Sequence, residues 1–153
     1  MASSKIIRRL LHFWFLIRRP MTLGVRVLVQ DETGAVLLVR HTYVRGWYFP
    51  GGGVEPGDTM QKTARKEVYE ETGIELNGDL ELIGVFHNRT ASKRDHVTFY
   101  RCHQWDRKQE FSPNREIAEI GFFKLDDLPD GITPSTWRRL QEVYFDEEMS
   151  DHW

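Results

Sequence analysis

Residues Gly52–Ile74 read GGVEPGDTMQKTARKEVYEETGI, a glycine turn followed by a helical stretch that closes on glutamates. Glu67, Glu70 and Glu71 stand at i, i+3 and i+4. At 3.6 residues per turn their carboxylates share an arc of roughly 100° of the helix surface. Like charges held that close repel and push at least one carboxyl toward its protonated form. A divalent cation removes the conflict, and Mg²⁺ or Mn²⁺ suits a cluster made only of oxygen ligands. Met60, Ala64 and Val68 at i, i+4 and i+8 form an apolar stripe beside the acids, so the same helix has a core face and a charged one.

Just upstream, Pro50-Gly51-Gly52-Gly53 continues neither a strand nor a helix and lets backbone approach a ligand without side chains in the way. Pro56-Gly57-Asp58-Thr59 then predicts a tight turn and a helix N-cap at Asp58 or Thr59. A glycine turn beside a helix N-terminus offers N–H groups to phosphate oxygens, while the carboxylates hold a cation that bridges them. Pyrophosphate plus metal is the ligand this pattern predicts. An E-x-x-E-E cluster alone is ordinarily a solvated helix face. The fixed distance to the glycine turn before it and to Gly73-Ile74 after it favours the metal site.

These residues resemble the Nudix hydrolase family, whose box is G-x5-E-x7-R-E-U-x-E-E-x-G-U with U aliphatic. Gly52, Glu67, Val68, Glu70, Glu71, Gly73 and Ile74 fall where the box requires them. Asp58 stands in place of a glutamate and Lys66 in place of an arginine. Gly46-Trp47-Tyr48-Phe49-Pro50 and Phe122-Phe123…Leu128-Pro129 also look like this family, and the likeness spans about residues 21 to 132. It implies an α+β fold, a Nudix-type α/β/α sandwich with a mixed sheet between helices. It implies metal-dependent hydrolysis of a phosphoanhydride in a nucleoside diphosphate-linked small molecule. Glu67, Glu70 and Glu71 carry over as catalytic residues and metal ligands, with Glu67 also the candidate general base. Many relatives add an acid from a loop before a later strand, and Glu116, six residues ahead of Phe122, is the choice here, with Glu119 next. Phosphate or substrate contacts are expected from Arg40, Gly51, Gly52, Gly53 and Asp58. Asp58 keeps a carboxylate with shorter reach, and Lys66 keeps a charge without the planar fork of arginine. Those two departures motivate a rival reading, a nucleotide-binding sensor of the same fold with little or no catalysis.

Elsewhere, β-rich runs at Thr22–Gln30 and Ala35–His41 flank the turn Asp31-Glu32-Thr33-Gly34 and read as a hairpin. Trp47–Phe49, Glu81–His87, Val97–His103 and Ile117–Leu125 read as strands, Thr59–Thr72 and Pro134–Tyr144 as helices. Trp47, Tyr48, Phe86, Tyr100 and Trp137 include candidates for base stacking but are expected mainly in the core. Residues 21–148 form the expected hydrolase domain, and residues 1–20 a basic, aromatic N-terminal helix stopped by Pro20.

A chain of 153 residues buries a core without staples. Cys102 is the only cysteine, which excludes an intrachain disulfide, reads as a small core residue and makes a cytoplasmic setting the default. The net charge of −2 argues against a nucleic-acid partner. Its distribution is uneven: residues 1–30 hold six Lys/Arg and no acid, which leaves −8 on the remainder. The unbroken apolar stretch of the N-terminal helix falls far short of the roughly 20 residues a spanning helix needs. Two readings stay open for residues 4–20. The helix packs against the domain or a second subunit as a homodimer, the reading the aromatics favour, or it makes a peripheral membrane contact with arginines at anionic headgroups.

Overall fold

The computed structural model describes the backbone of residues 2–153 and the side chains of residues 5–153. In chain order the elements are α1 (Ala2–Arg18), β1 (Thr22–Val29), β2 (Val36–His41), β3 (Trp47–Tyr48), α2 (Met60–Thr72), β4 (Ile74–Leu76), β5 (Glu81–His87), β6 (Asp95–Cys102), β7 (Trp105–Arg107), β8 (Ile117–Phe123) and α3 (Pro134–Tyr144). β1 lies parallel to β6, which pairs antiparallel with β5, and β2 lies antiparallel between β3 and β8. β4 and β7 form a small separate ladder.

The two main sheets sit between α2 and α3. Val25, Val27 and Val29 of β1 and Leu37 of β2 join Ala64 and Val68 of α2 in one apolar cluster. The alternate residues Leu28, Val36 and Leu38 join Leu140 of α3, Phe49 and Phe99 in the other. Period-two alternation along the strands thus feeds both layers, which makes the α/β/α sandwich with mixed strand pairing. Met60 is only partly buried against the first cluster, and Cys102 is a buried free thiol within it.

The hairpin expected of β1 and β2 does not form. Only an isolated bridge between Gln30 and Val36 joins them, and the strands then part into different sheets. The turn itself is as read: Asp31 Oδ1 accepts N–H bonds from Thr33 and Ala35 at 2.8 and 2.9 Å. Both strands are buried on both faces through their inner halves, which is the pattern of central strands. β4 and β7, three residues each, are too short to show a period in sequence.

Helix α1 stands apart. Every side chain from Lys5 to Arg18 is exposed, including Leu10, Phe13 and Ile17 at 64, 63 and 61 %. Packing against the domain, one branch of the expectation for residues 4–20, is therefore not what the structure shows. No described helix is long and apolar enough to cross a membrane. At the other terminus, Trp153 packs on Phe86 and Phe99 and its N–H donates to the His87 carbonyl at 3.1 Å. Arg139 of α3 is fully buried beneath this tail.

Candidate active site

The site is assembled from α2, the glycine turn, the end of β2 and the loop before β8. Thr59 is the N-cap of α2, in extended conformation, with its hydroxyl accepting from the Lys62 N–H at 3.2 Å. Gly73 is its left-handed C-cap, so the box begins and ends the helix as its residue types demand.

The glycine turn is laid along β1: Val25 N–H donates to the Gly52 carbonyl at 2.9 Å, Val27 N–H to Pro50 at 3.0 Å and Val54 N–H to Leu23 at 2.8 Å. Gly51 adopts φ +142, and a Cβ there would lie 2.1 Å from the Val25 carbonyl oxygen. At Gly52 a Cβ would lie 2.4 Å from a Glu67 carboxylate oxygen. Gly51 requires glycine to cross β1 closely, while at Gly52 a side chain would displace the Glu67 carboxylate from its present place. In return the Gly51 N–H donates to Glu71 Oε2 at 2.8 Å.

Glu71 is buried, and burial raises its pKa to about 8 against the pull of Arg26 and the Gly51 N–H. Glu67, half-buried, is also raised, first by burial, with Glu70 and Glu116 adding to it and Lys66 opposing. Glu70 is exposed, borders the cleft and stands 3.8 Å from Lys66 Nζ. Glu116 comes from the loop ahead of β8, where its carbonyl accepts the Thr42 N–H at 2.9 Å. That pairing sets Glu116 beside His41. Atoms of His41, Glu71 and Glu116 lie within 4.8 Å of one another, a group with the composition and reach to hold a metal ion.

His41 is absent from the box and was not anticipated. It is buried, its Nδ1 has no partner among the described residues, and its Nε2 lies 3.8 Å from Glu71 Oε1. Burial, then Arg26, lowers the pKa of the imidazole while burial raises that of Glu71. The contact is therefore between two groups driven toward their neutral forms, and we do not count it as an ion pair. A neutral imidazole with an unpartnered nitrogen, grouped with the carboxyls of Glu71 and Glu116, has the donors to take a cation.

The cleft over this cluster has a volume of about 1120 Å³ and is bordered by Arg26, Tyr43, Tyr48, Glu67 and Trp153 among others. Arg26 Nη1 donates to the Phe49 carbonyl at 2.8 Å and its guanidinium lies 5.9 Å from the Tyr48 ring. Arg40 points elsewhere. As neighbours along β2, Arg40 and His41 face opposite sides: His41 is buried, and Arg40 pairs with Glu119 at 2.6 Å on the exposed face, next to a bulge at Ala118 of β8. Neither Arg40 nor Glu119 borders the cleft. Asp58 is likewise outside it, 2.5 Å from Lys62 Nζ, while Gly51, Gly52 and Gly53 line it. Trp47, Phe86 and Tyr100 are core residues, and Trp137 is exposed. A sequence signal for His41 existed only as its place at the end of a strand leading toward the glycine turn.

This arrangement of glycine turn, acidic helix and polar cleft is that of a phosphoanhydride hydrolase, and comparison with known proteins agrees. The NUDIX domain model matches residues 20–143. A putative 8-oxo-dGTP diphosphatase of Bacillus subtilis is 37% identical over 122 residues, 79% of this chain and 78% of that protein. A MutT-like protein of Streptomyces ambofaciens is 38% identical over 128 residues, 74% and 80% of the two chains. Among solved structures, a MutT NUDIX hydrolase of Burkholderia pseudomallei superposes with a TM-score of 0.69 at 24% identity, covering 80% of this chain and 97% of that one. An ADP-ribose pyrophosphatase of Streptococcus suis gives 0.61 at 28% identity, covering 86% and 95%. The chain belongs to the Nudix family and is a Nudix hydrolase of phosphoanhydrides.

Proposed function

We propose that this enzyme hydrolyses a phosphoanhydride bond in a nucleoside diphosphate derivative, with Mg²⁺ or Mn²⁺ as cofactor. The observation that carries the proposal is the buried Glu71, fixed by the Gly51 N–H and grouped with His41 and Glu116, which both line the polar cleft. Glu71, Glu116 and His41 hold the cation, and Glu67 and Glu70, on the same face of α2, complete its acidic surround. A bound divalent ion neutralises phosphate charge and lowers the pKa of water. Glu67 accepts a proton from the attacking water, and its pKa, raised by burial, makes it a stronger base than a solvated carboxylate. Gly52 and Gly53 bring backbone to the phosphates. Arg26, which borders the cleft, takes the phosphate-binding part first assigned to Arg40. Tyr48 and Trp153 offer ring surfaces for the nucleoside.

The relatives' substrates, 8-oxo-dGTP and ADP-ribose by name, are both diphosphate-linked nucleosides, and this supports the substrate class. The test is a panel of such compounds with Mg²⁺ and Mn²⁺, reading phosphate products, on the native enzyme and on Glu71→Gln. We expect hydrolysis of at least one panel member, reduced at least about a hundredfold in the variant, as for loss of a direct ligand. Near-native turnover in Glu71→Gln, or tight nucleotide binding with no product, would overturn the proposal; the second outcome would favour the sensor.

A further inference from the structure

The catalytic cleft leaves α1 unexplained. At 100° per residue, Arg8, Arg19, His12, Lys5 and Arg9 fall within about 100° of one another, with Leu16 among them. Phe13, Ile6, Ile17, Leu10, Trp14, Ile7, Leu11 and Phe15 spread over the opposite arc of roughly 200°, interrupted only by Arg18. The helix is therefore amphipathic, with an apolar face that none of the described residues covers: Ile7, Leu10, Leu11 and Trp14 border a shallow open groove along it. Exposed apolar surface of this extent marks an interface.

We infer that α1 lies in the plane of an anionic lipid surface, with its apolar face in the acyl boundary and its cations at the headgroups. Charge selects this occupant over a second copy of the chain. The cations of residues 1–30 have no acid among them, and an anionic surface engages the apolar and cationic faces together, whereas apolar pairing of two such helices engages only the apolar face. Arg18 lies inside the apolar arc and would be desolvated there, whereas on a bilayer its position at the end of the helix lets it reach the headgroups. Its guanidinium already rests 5.9 Å from the Trp14 ring, and that of Arg19 rests 5.2 Å from Phe15. Seventeen residues give a rod of about 25 Å, shorter than the hydrocarbon core, and cations occupy both of its ends. Such a helix rests on a bilayer and does not cross it. Arg19, Pro20 and Met21 connect it to Thr22, which borders the cleft. Four residue steps span at most roughly 14 Å, so docking holds the rim of the cleft close to the lipid surface.

The test is co-sedimentation of the full chain with vesicles of equal parts phosphatidylglycerol and phosphatidylcholine, against vesicles of phosphatidylcholine alone. We expect binding to the anionic vesicles only, falling steeply with added salt and lost on deletion of residues 2–19. Arg8→Gln with Arg9→Gln should weaken it by roughly fivefold per charge. Trp14→Glu should abolish it, since it places a charge in the apolar face. Thermal unfolding of the deletion variant should match the full chain, because α1 contributes no buried side chain. Full-length protein that stays in the supernatant with anionic vesicles at low salt overturns the inference. So does a deletion variant that still sediments, or a dimer by sedimentation equilibrium that Trp14→Glu dissociates in protein showing no vesicle binding.

Discussion

Gly51 and Glu71, twenty residues apart in sequence, meet through one hydrogen bond: the Gly51 N–H donates to Glu71 Oε2 at 2.8 Å. The bond joins the turn that lines the cleft to the helix that carries the acids. It also leaves Glu71 Oε1 to face His41 at 3.8 Å, so the position of the turn determines which carboxylate oxygen is free. Gly51→Ala should break this coupling, because a Cβ has no room 2.1 Å from the Val25 carbonyl and φ +142 disfavours it. A loss of about 3 kcal/mol in urea unfolding, with weakened metal binding, is the expected result. Unchanged stability would show that the turn relaxes freely.

Metal affinity should rise with pH. In the metal-free protein Glu71 titrates near 8, so at pH 6.5 a cation must displace its proton. Calorimetric titration with Mn²⁺ should show affinity rising by up to tenfold per pH unit to about pH 8, then levelling, with proton release below that point. The same shift sets the sign for folding. A carboxyl whose folded pKa exceeds its unfolded value of 4.5 favours the metal-free fold most at low pH, and that contribution is lost as pH rises through about 8. Saturating Mn²⁺ should therefore raise the melting temperature more at pH 8.5 than at pH 6.5. The opposite order would contradict a buried, protonated Glu71.

His41→Ala should distinguish metals. An imidazole nitrogen adds more to Mn²⁺ binding than to Mg²⁺ binding, since the harder ion prefers oxygen. The variant should lose roughly tenfold or more in Mn²⁺ affinity and proportionally less for Mg²⁺. Equal losses for both ions would assign His41 to packing alone.

Arg26 and Arg40 should behave differently. Arg26→Ala is expected to raise KM for a diphosphate substrate by tenfold or more, as for a lost charged contact. Arg40→Ala breaks an exposed pair with Glu119 and should leave KM within about threefold of native. A large effect confined to Arg40 would restore the assignment made from sequence.

The buried pair of Arg139 and Glu142, 2.7 Å apart and covered by Phe86 and Trp153, predicts a stability cost of roughly 3–5 kcal/mol for Arg139→Ala. Replacing both partners, Arg139→Met with Glu142→Leu, should cost much less, because no lone charge is left buried. Chemical unfolding of the two variants measures the difference directly.

What the sequence determined by itself was local. The glycine turn, Thr59 among the two cap candidates, the helix through Thr72 and the shared face of Glu67, Glu70 and Glu71 follow from residue spacing and turn chemistry, which act over a few residues. The strand at Glu81–His87 and the helix at Pro134–Tyr144 were legible for the same reason. Only the tertiary structure decided the partners. β1 left its expected hairpin for β6, more than seventy residues later, because a strand buried on both faces pairs wherever the sheet closes. Alternation along β2 faces Arg40 outward and His41 inward, but the groups His41 meets depend on its pairing with β8, where Ala118 is an extra residue between the partners of Arg40 and His41. The raised pKa of Glu71 likewise belongs to the folded chain. It comes from burial, with Glu67 and Glu116 adding to it against Arg26 and the Gly51 N–H, an environment that arises only when distant segments close around the carboxyl.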